Sequence, residues 1–171
     1  NQTSVTSMSG ALLLSINSDA GWRLNLSSAC GQPLENWDQK RNHRRVTYDQ
    51  WLRPAFMFEQ VAGEEARRSE GYSYADASDA SALHNLCGQL IRHDDTGGTQ
   101  SLDECSLFGS PLEQSRRFLK ELDLPDWPED LAEREALLEV ERATTRNGYN
   151  AAGEQIRHID ALGNEQLLRQ T

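Results

Sequence analysis

Adjacent carboxylates are the side chains of this 171-residue chain that most invite a catalytic interpretation. Asp94–Asp95 and Glu64–Glu65 are such pairs. Two carboxylates held close together can act as general acid and general base. Neighbours along a strand point to opposite faces, however, so neither pair builds a dyad. The sequence therefore predicts no catalytic residue, and it contains neither a G-x-S-x-G motif nor a phosphate-binding loop.

One of these carboxylates belongs to a repeated phrase. Asp95 recurs as Asp160, in each case a few residues ahead of a glycine. An aspartate before a turn glycine can accept hydrogen bonds from the backbone of the turn. We therefore predict that both residues shape turns. An enzyme remains the weakest alternative, and a hydrolytic activity lost in D95N or D160N would support it.

The three cysteines could in principle hold a metal or form a disulfide. Cys30 and Cys87 occupy the same position, immediately before a repeated glycine, and a third copy has Ala152 there. A position that accepts alanine is predicted to be a small, buried packing position. Cys105 has no partner at metal-type spacing, so no metal and no cofactor are predicted. A Cys30–Cys87 disulfide stays open as a minor alternative.

Two histidines also share a position in the repeated phrase. His93 and His158 correspond to each other, and a weaker copy has Asn36 in their place. The correspondence predicts a ladder of polar side chains across a sheet. Metal binding or pH sensing is the alternative, because histidine titrates near neutrality. His43 and His84 are predicted to lie in polar loops.

Aromatic side chains could bind sugars if they stood in register on an exposed sheet face. More often such residues are cross-strand pairs that hold a sheet together. We predict packing, with sugar stacking as the alternative, for eight residues: Trp22, Trp37, Trp51, Trp127, Tyr48, Tyr72, Tyr74 and Tyr149.

A phrase that occurs twice indicates which elements position these residues. Segments 85–98 and 150–163 match at seven of fourteen columns, at a constant offset of 65 residues. Looser copies of Gly-x-x-(Leu/Ile) recur, and Gly10 to Gly31 and Gly88 to Gly109 both span 21 residues. In a degenerate copy at 48–54, Trp51 takes the glycine position. Such self-similarity indicates a repeat protein whose units stack to bury their apolar surface.

The turn residues of each repeat, and the short runs between them, predict a β-hairpin. Runs such as Gln89–His93 are too short for a stable helix, and Gly163–Asn164 is a hairpin-type dipeptide. A lone two-stranded hairpin is marginally stable, so neighbouring hairpins must pair edge to edge. The fold class is therefore predicted to be all-β, with antiparallel hairpins in a continuous curved sheet over residues 1–171.

One segment departs from this pattern. Residues 128–142 are rich in Leu, Ala, Glu and Arg, and we predict a short inserted helix there, capped by Asp126 with Glu129 three residues on. Leu131 and Leu138 are predicted to face the sheet, with Leu137 and the stem of Arg134 beside them. Segment 112–122 suits either a helix or a strand, and a strand is chosen.

The repeats resemble the YD-repeat (Rhs) family, whose units read approximately Y-D-x-x-G-x-L-x-x-x-x-D-x-x-G-N. The best copy is Tyr149–Asn164, with Asn150 in place of the aspartate. Within that family the chain is most similar to the amino-terminal part of the C component of bacterial insecticidal toxin complexes. Segments 85–97 and 19–21 are similar to phrases typical of those proteins. The resemblance covers most of the chain, from about residue 10 onwards.

The resemblance implies a β-sheet shell, wound from YD hairpins, that encloses a toxic polypeptide until delivery. This chain would be a strip of the shell wall, and no segment matches the autoproteolytic site or the toxin of the family. Asn1 in place of an initiator methionine suits an excised segment. The partners implied are other YD-repeat segments, the companion shell subunit and the enclosed toxin. The implied location is extracellular, as part of a secreted complex.

Composition narrows the classes of partner. The net charge is −10, so nucleic acid is an unfavourable partner, because phosphate contacts need clustered Lys and Arg. The basic segment 40–45 is predicted to be a solvated turn. The longest apolar run, Ala11–Leu14, is too short to span a bilayer. An excised strip of sheet would have bare edges, so we predict an edge-mediated homodimer or aggregate in isolation.

A surface binding module is the main alternative function. It would recognise a glycan or a host protein through aromatic side chains on a sheet face. Loss of glycan binding on replacement of an exposed tryptophan would favour it over the shell role.

Overall fold

A computed structural model describes residues 2–169. Within these residues the chain forms thirteen strands and two short helices. The strands are β1 Gln2–Thr6, β2 Leu12–Asn17, β3 Gly21–Ser27, β4 Pro33–Asp38, β5 His43–Tyr48, β6 Pro54–Gln60, β7 Arg67–Tyr74, β8 Leu90–Asp95, β9 Gly98–Cys105, β10 Pro111–Phe118, β11 Ala143–Tyr149, β12 Gln155–Ile159 and β13 Glu165–Leu167. The helices are α1 Asp79–Leu83 and α2 Leu131–Ala136.

The strands are hydrogen-bonded in chain order, from β1 to β13. This order confirms the predicted all-β sheet of antiparallel hairpins. The chain divides into two compact units. The amino-terminal unit contains the described residues up to Glu70 together with Pro125–Trp127, and the carboxy-terminal unit contains Gly71–Leu124 and the described residues from Pro128 onwards. The interpretation of residues 1–171 as a single repeat segment stays a prediction.

One five-residue turn recurs through the sheet. The amide of its first residue donates to the carbonyl of the fifth, and the amide of the fourth donates back to the carbonyl of the first. The fourth residue has a positive φ, which glycine adopts without strain. Among residues 2–169, seven uninterrupted copies begin at Ser7, Ser28, Asp38, Asp49, Ser106, Asn150 and Asp160.

The first side chain of the turn explains why Ser, Asp and Asn occupy that position. Asp160 Oδ1 accepts from the amides of Leu162 and Asn164, at 2.9 and 2.8 Å. Asn150 Oδ1 accepts in the same way from Ala152 and Glu154, at 2.9 and 3.0 Å. These bonds satisfy backbone amides that the tight turn leaves without strand partners. The predicted turn role of Asp160 is therefore confirmed.

The turn that begins at Asp49 differs from its prediction in one detail. Asp49 Oδ1 accepts from the amides of Trp51 and Arg53, at 2.8 and 2.9 Å. The residue with positive φ is Leu52, at 61°. The prediction that Trp51 takes the glycine position was wrong by one residue, because the position is counted from the aspartate that begins the turn.

The Gly88 turn is an interrupted copy of the same turn. Ala75 N donates to Gln89 O at 3.0 Å, and Gly88 N donates to Ala75 O at 3.1 Å, as in the turn that begins at Asn150. Helix α1 is inserted between Ala75 and Gly88 and is N-capped by Ser78. The prediction of a single inserted helix was therefore wrong, because a five-residue helix leaves almost no periodic signal.

The two aligned phrases end on different turns. Asp95 pairs directly with Gly98 across β8 and β9, so only Thr96 and Gly97 form the loop. Asp95 Oδ1 accepts from Gly97 N at 2.8 Å, which confirms its turn role. Asp160, in contrast, begins the five-residue turn described above. The phrase therefore preserves the strand and the turn aspartate, but not the length of the second turn.

Helix α2 is shorter than predicted and has a different cap. It covers Leu131–Ala136 within the predicted 128–142 range, and Asp130 Oδ1 accepts from the amides of Ala132 and Glu133. Asp126, the predicted cap, accepts from Arg68 N at 2.7 Å instead. The helix stops because Leu138 forms an antiparallel bridge with Leu119.

Two further predictions on this region are settled by the strands and by burial. Strand β10 covers Pro111–Phe118, which confirms the choice of strand for the first part of segment 112–122. Leu138 is buried, as predicted, and so is Arg134. Leu131 is 55% exposed, so its predicted packing against the sheet was wrong.

Candidate functional site

The adjacent carboxylates of β8 lie in separate environments. Asp94 is fully buried and contacts Arg92 and Arg134. Asp95 contacts Arg116 instead, with Oδ2 2.7 Å from Nη1 and Oδ1 2.5 Å from Nη2. The two carboxylates therefore do not form a dyad. Within residues 2–169, no group of three or more His, Cys, Asp or Glu side chains is arranged to hold a metal ion.

The cysteines are free thiols, and the sequence misjudged their burial. Cys30 and Cys87 are exposed, although their shared position was predicted to be buried. Cys30 is the third residue of its turn, at the tip, where a side chain meets solvent. Cys105 is the buried thiol, and burial raises its pKa. It is the last residue of β9 and lies outside the position shared by Cys30, Cys87 and Ala152, so the comparison of repeats gave no signal for it.

Each of these two histidines has polar side chains opposite it in the neighbouring strands. The His93 ring stacks on Tyr72 with centroids 4.8 Å apart, and Gln100 pairs with His93 on the other side. His158 Nδ1 lies 2.9 Å from Asn147 Oδ1, and Gln166 pairs with His158 on the other side. The predicted polar side chains therefore do line up across these strands, although neither histidine has a histidine directly opposite it.

The other two histidines have structural contacts. His43 was predicted to lie in a loop, but it is the first residue of β5. Its ring stacks on Trp37 at 4.7 Å, and its Nε2 lies 2.8 Å from Glu35 Oε2. Arg44 and Arg45 continue β5, so the basic segment 40–45 is a turn only in its first half. His84 ends helix α1, and its carbonyl accepts from Cys105 N.

Two tyrosines make the same bond in different repeats. Tyr48 Oη donates to Pro33 O at 2.5 Å, and Tyr149 Oη donates to Pro111 O at 3.3 Å. Each tyrosine immediately precedes a five-residue turn, and each proline immediately follows the turn of an earlier repeat. The bond therefore ties successive repeats together. These tyrosines therefore have a structural contact through their hydroxyl groups, while Trp51 is 67% exposed.

The strand register gives the amino-terminal unit one apolar sheet face. Residues directly opposite each other share a face, and the register pairs Val5 with Leu14, Leu14 with Leu24, and Leu24 with Trp37. Ile16, on the same face, is 46% exposed. We call this face, defined by Val5, Leu14, Ile16, Trp22, Leu24, Leu26 and Trp37, the apolar face.

The opposite face of the same strands is polar. Asn36 Nδ2 donates to Asn25 Oδ1 at 2.5 Å. Further along, Glu59 accepts from Arg44 and Arg67, at 2.7 and 3.1 Å. The sheet of this unit is therefore amphipathic, and its large side chains on the apolar face remain partly open to solvent.

The corresponding face of the carboxy-terminal unit is polar and covered. Hairpin β10–β11 matches β4–β5, because Pro111 and Tyr149 repeat the bond of Pro33 and Tyr48. Ser115 therefore stands where β4 has Trp37. The register places Arg92, Asp94, Thr99, Ser101 and Arg117 on the face of Ser115. Residues 119–142 connect β10 to β11, and we call them the α2 insertion. Helix α2 covers this face through Arg134 and Glu135, whereas Pro125–Trp127 belong to the amino-terminal unit.

A buried ion pair fastens the insertion to the sheet. Arg134 Nη1 lies 3.0 Å from Asp94 Oδ2, and both residues are at least 94% buried. Asp94 Oδ1 accepts from Arg92 Nε at 2.8 Å and from Thr99 Oγ1 at 2.5 Å. A Cβ added to Gly71 would meet Arg134 Nη1 and Asp94 Oδ2 at 3.2 Å each. Glycine at this position therefore leaves room for the pair.

The other two nitrogens of the guanidinium donate to the insertion itself. Arg134 Nε donates to Pro128 O at 2.7 Å, and Nη2 donates to Glu129 O at 3.1 Å. A buried charge that is paired and hydrogen-bonded in this way is structural rather than reactive. From the sequence, Arg134 was predicted to contribute only its stem, because its partner Asp94 lies 40 residues away.

A second ionic contact lies beside the first. The Glu135 carboxylate accepts from both Arg92 and Arg117. Burial raises the pKa of Glu135, but hydrogen bonds and charges from the two arginines outweigh burial and hold the pKa below its ordinary value. Glu139 N donates to Phe118 O at 2.8 Å, which closes the insertion at its base.

No protein-family model matches the chain. Toxin subunit YenC2 of Yersinia entomophaga is 40% identical over 121 residues, which are 68% of this chain and 12% of that protein. Toxin subunit YenC1 of the same organism is 28% identical over 173 residues, covering 98% of this chain and 18% of that protein. The chain therefore spans less than a fifth of these relatives.

Solved structures agree with the sequence relatives. The crystal structure of TcdB2-TccC3-Cdc42 matches 94% of this chain and 8% of that chain, with a TM-score of 0.89 and 30% identity. The Tc holotoxin pore of Photorhabdus luminescens, with a substitution in TccC3, matches 99% of this chain and 8% of that chain, with a TM-score of 0.93 and 29% identity.

These matches define the class of protein to which the chain is related, the toxin-complex subunits, and they confirm its resemblance to the YD-repeat family. Within that class, the chain is similar to YenC2, YenC1 and the TccC3-containing structures, which confirms the resemblance to the C component of insecticidal toxin complexes. Across residues 2–169, neither helix has the length and apolar character needed to cross a membrane.

Proposed function

We propose that this chain is a strip of wall in a shell that encloses a toxic polypeptide for delivery, and that its role is steric rather than enzymatic. One observation carries the proposal. Thirteen strands pair in chain order, yet among the described residues only Ala75, Cys105, Trp127 and Leu138 are buried apolar side chains. A sheet with so little core of its own is suited to be part of a larger structure.

The barrier follows from the hydrogen bonds of the sheet. Each strand satisfies its neighbours' backbone groups, so an unfolded chain finds no backbone edge to pair with except at β1 and β13. The tyrosine–carbonyl bonds add a fixed contact between successive repeats. Adjoining YD-repeat segments, a companion subunit and the enclosed toxin are the partners of this proposal, and secretion with the complex is its location.

A break in the hydrogen-bond ladder tests the wall role in the full-length parent protein. Val46 lies in the middle of β5, and V46P removes a ladder donor there. We expect the enclosed polypeptide to become sensitive to protease. The matched control is A29P, in the turn that begins at Ser28. Electron microscopy shows whether the shell still assembles, and an enclosed polypeptide equally protected in both variants would overturn the proposal.

We also propose that the isolated chain associates with itself through the unpaired edge strands of its sheet. Strand β1 pairs only with β2, and β13 pairs only with β12, among the described strands. We expect the isolated chain to dimerise or aggregate through an edge. Sedimentation across a wide concentration range tests this, with V5P as the variant that blocks the β1 edge. A clean monomer at every concentration would contradict it.

A glycan-binding or host-protein-binding module is the second candidate. Its support is Trp51, which is 67% exposed with the Arg53 guanidinium 4.8 Å from its ring centroid. An exposed indole is suited to stacking on a sugar. Binding on a glycan array that is lost in W51A but kept in W22A would favour this function, and absence of binding would remove it.

A further inference from the structure

The α2 insertion is not needed to connect its two strands. Strands β4 and β5 are joined by four residues, 39–42, whereas the matching strands β10 and β11 are joined by twenty-four, 119–142. The short connection is the five-residue turn that recurs elsewhere in the sheet. The additional residues therefore need a reason other than chain connection.

The inner side of the insertion is firmly attached. Arg134 and Glu135 contact charged groups on the sheet, and Leu138 is 1% exposed. The base is closed by hydrogen bonds from Lys120 N to Leu137 O and from Glu139 N to Phe118 O. The backbone of the insertion is therefore held in one arrangement, and its outer side chains are presented in fixed positions.

We call the solvent-exposed part of the insertion its outer side, and several of its exposed side chains are large and apolar. Large apolar side chains face solvent at Leu122, Leu124, Leu131 and Val140, with exposures of 104, 64, 55 and 92%. Nine carboxylates and three basic residues give residues 119–142 a net charge of −6, out of −10 for the whole chain. Most of the chain's excess negative charge thus accompanies these exposed apolar side chains.

We propose that the outer side of the α2 insertion docks a basic, amphipathic polypeptide segment. Exposed leucines gain free energy when an apolar surface covers them. Charge complementarity selects the partner, because the surrounding carboxylates attract Lys and Arg and repel an acidic surface. The preorganised backbone lowers the entropic cost of binding. This surface is separate from the hydrogen-bond ladder, so the inference does not depend on the wall role.

A designed peptide serves as the probe. A fluorescent amphipathic peptide of Lys and Leu is titrated with the full chain, and anisotropy gives the Kd. We expect L122S with L131S to weaken binding by about tenfold, because burial of two leucines is lost. We expect binding to weaken steeply as salt is added, and a Glu/Leu peptide of the same pattern not to bind.

The matched control places the same changes elsewhere on the surface. Leu107 and Leu162 are each 89% exposed and lie in turns outside the insertion. L107S with L162S should leave the Kd unchanged. Hydrogen exchange at the Glu139 amide shows that the insertion stays attached in the L122S/L131S variant. Equal Kd values for the two double variants, or binding of the Glu/Leu peptide, would overturn the proposal, and neither result would bear on cargo protection by the shell.

Discussion

The two units treat corresponding sheet faces in different ways. In the amino-terminal unit the face that contains Trp37 is apolar, and Ile16 and Leu26 on it are 46 and 41% exposed. In the carboxy-terminal unit the corresponding face contains Ser115, Arg92 and Asp94, and the α2 insertion covers it. The strand pairing of the two hairpins matches, so the difference lies in the strand side chains and in the length of the connection between β10 and β11.

The strand pairing and the five-residue turn recur in both units, whereas the side chains on the sheet faces differ. The turn depends on hydrogen bonds between residues two to four positions apart, such as those from Leu162 and Asn164 to Asp160. A strand side chain, in contrast, affects only what lies above or below the sheet. One repeat can therefore present an apolar surface and another a charged one without a change in strand pairing.

Removal of the buried cation is the largest expected effect. R134M leaves Asp94 buried with one cationic partner fewer, and we expect a loss of about 3–5 kcal/mol in the free energy of unfolding. R116M is the matched control, since Arg116 and Asp95 are 27 and 29% exposed and such pairs contribute less than about 1 kcal/mol. Urea denaturation measures both. Equal losses of unfolding free energy would show that the buried ion pair stabilises the fold no more than an exposed pair does.

Crowding at Gly71 gives the next largest effect. G71A brings a Cβ to 3.2 Å from both Arg134 Nη1 and Asp94 Oδ2, and the Arg134 guanidinium is held by three acceptors, so we expect a cost of about 1–3 kcal/mol. In an R134M background the guanidinium is gone and Asp94 Oδ2 remains, so the cost should fall without vanishing. A double-mutant cycle measures the coupling. An unchanged cost in both backgrounds would mean that the glycine is not there to accommodate the ion pair.

Acid should loosen the α2 insertion by protonating Glu135. The pKa of Glu135 is lowered from its ordinary value of 4.5. Its contribution to stability is therefore complete above pH 4.5 and is lost as the pH falls through the lowered pKa. Hydrogen exchange at the Glu139 amide should accelerate in that range, and E135Q should abolish the pH dependence.

The control for this pH experiment is D160N. The Asn164 side chain, together with backbone amides, lowers the pKa of Asp160 as well, but Asp160 lies in a turn outside the insertion. D160N should leave the pH dependence of the Glu139 amide unchanged. If it removes that dependence, general acid unfolding rather than the Glu135 contact is responsible.

The smallest effect concerns the open apolar face. I16S with L26S should leave the midpoint of urea unfolding nearly unchanged, because both side chains are already about half exposed in the fold. Binding of a hydrophobic dye should decrease, since the face is less apolar. L162S is the control, as a single exposed leucine in a turn. An equal decrease in L162S would show that the dye does not report on the apolar face.

Most of the secondary structure could be predicted from sequence. The hairpins, the turn aspartates and strand β10 follow from local signals. The burial of Cys30 and of Leu131 was predicted wrongly, since it depends on which side of a turn or helix meets solvent. His43 was predicted to lie in a loop but begins β5. The pair Asp94–Arg134 was missed because its members lie 40 residues apart.

The sequence by itself determined the repeated hairpins and their turns, because a turn is set by the residues within it: an Asp, Asn or Ser that accepts backbone amides, and a fourth residue that tolerates a positive φ. Only the tertiary structure decided which face is covered, where α2 ends and why a glycine is needed at position 71. Those features depend on contacts between distant segments, which no local pattern records.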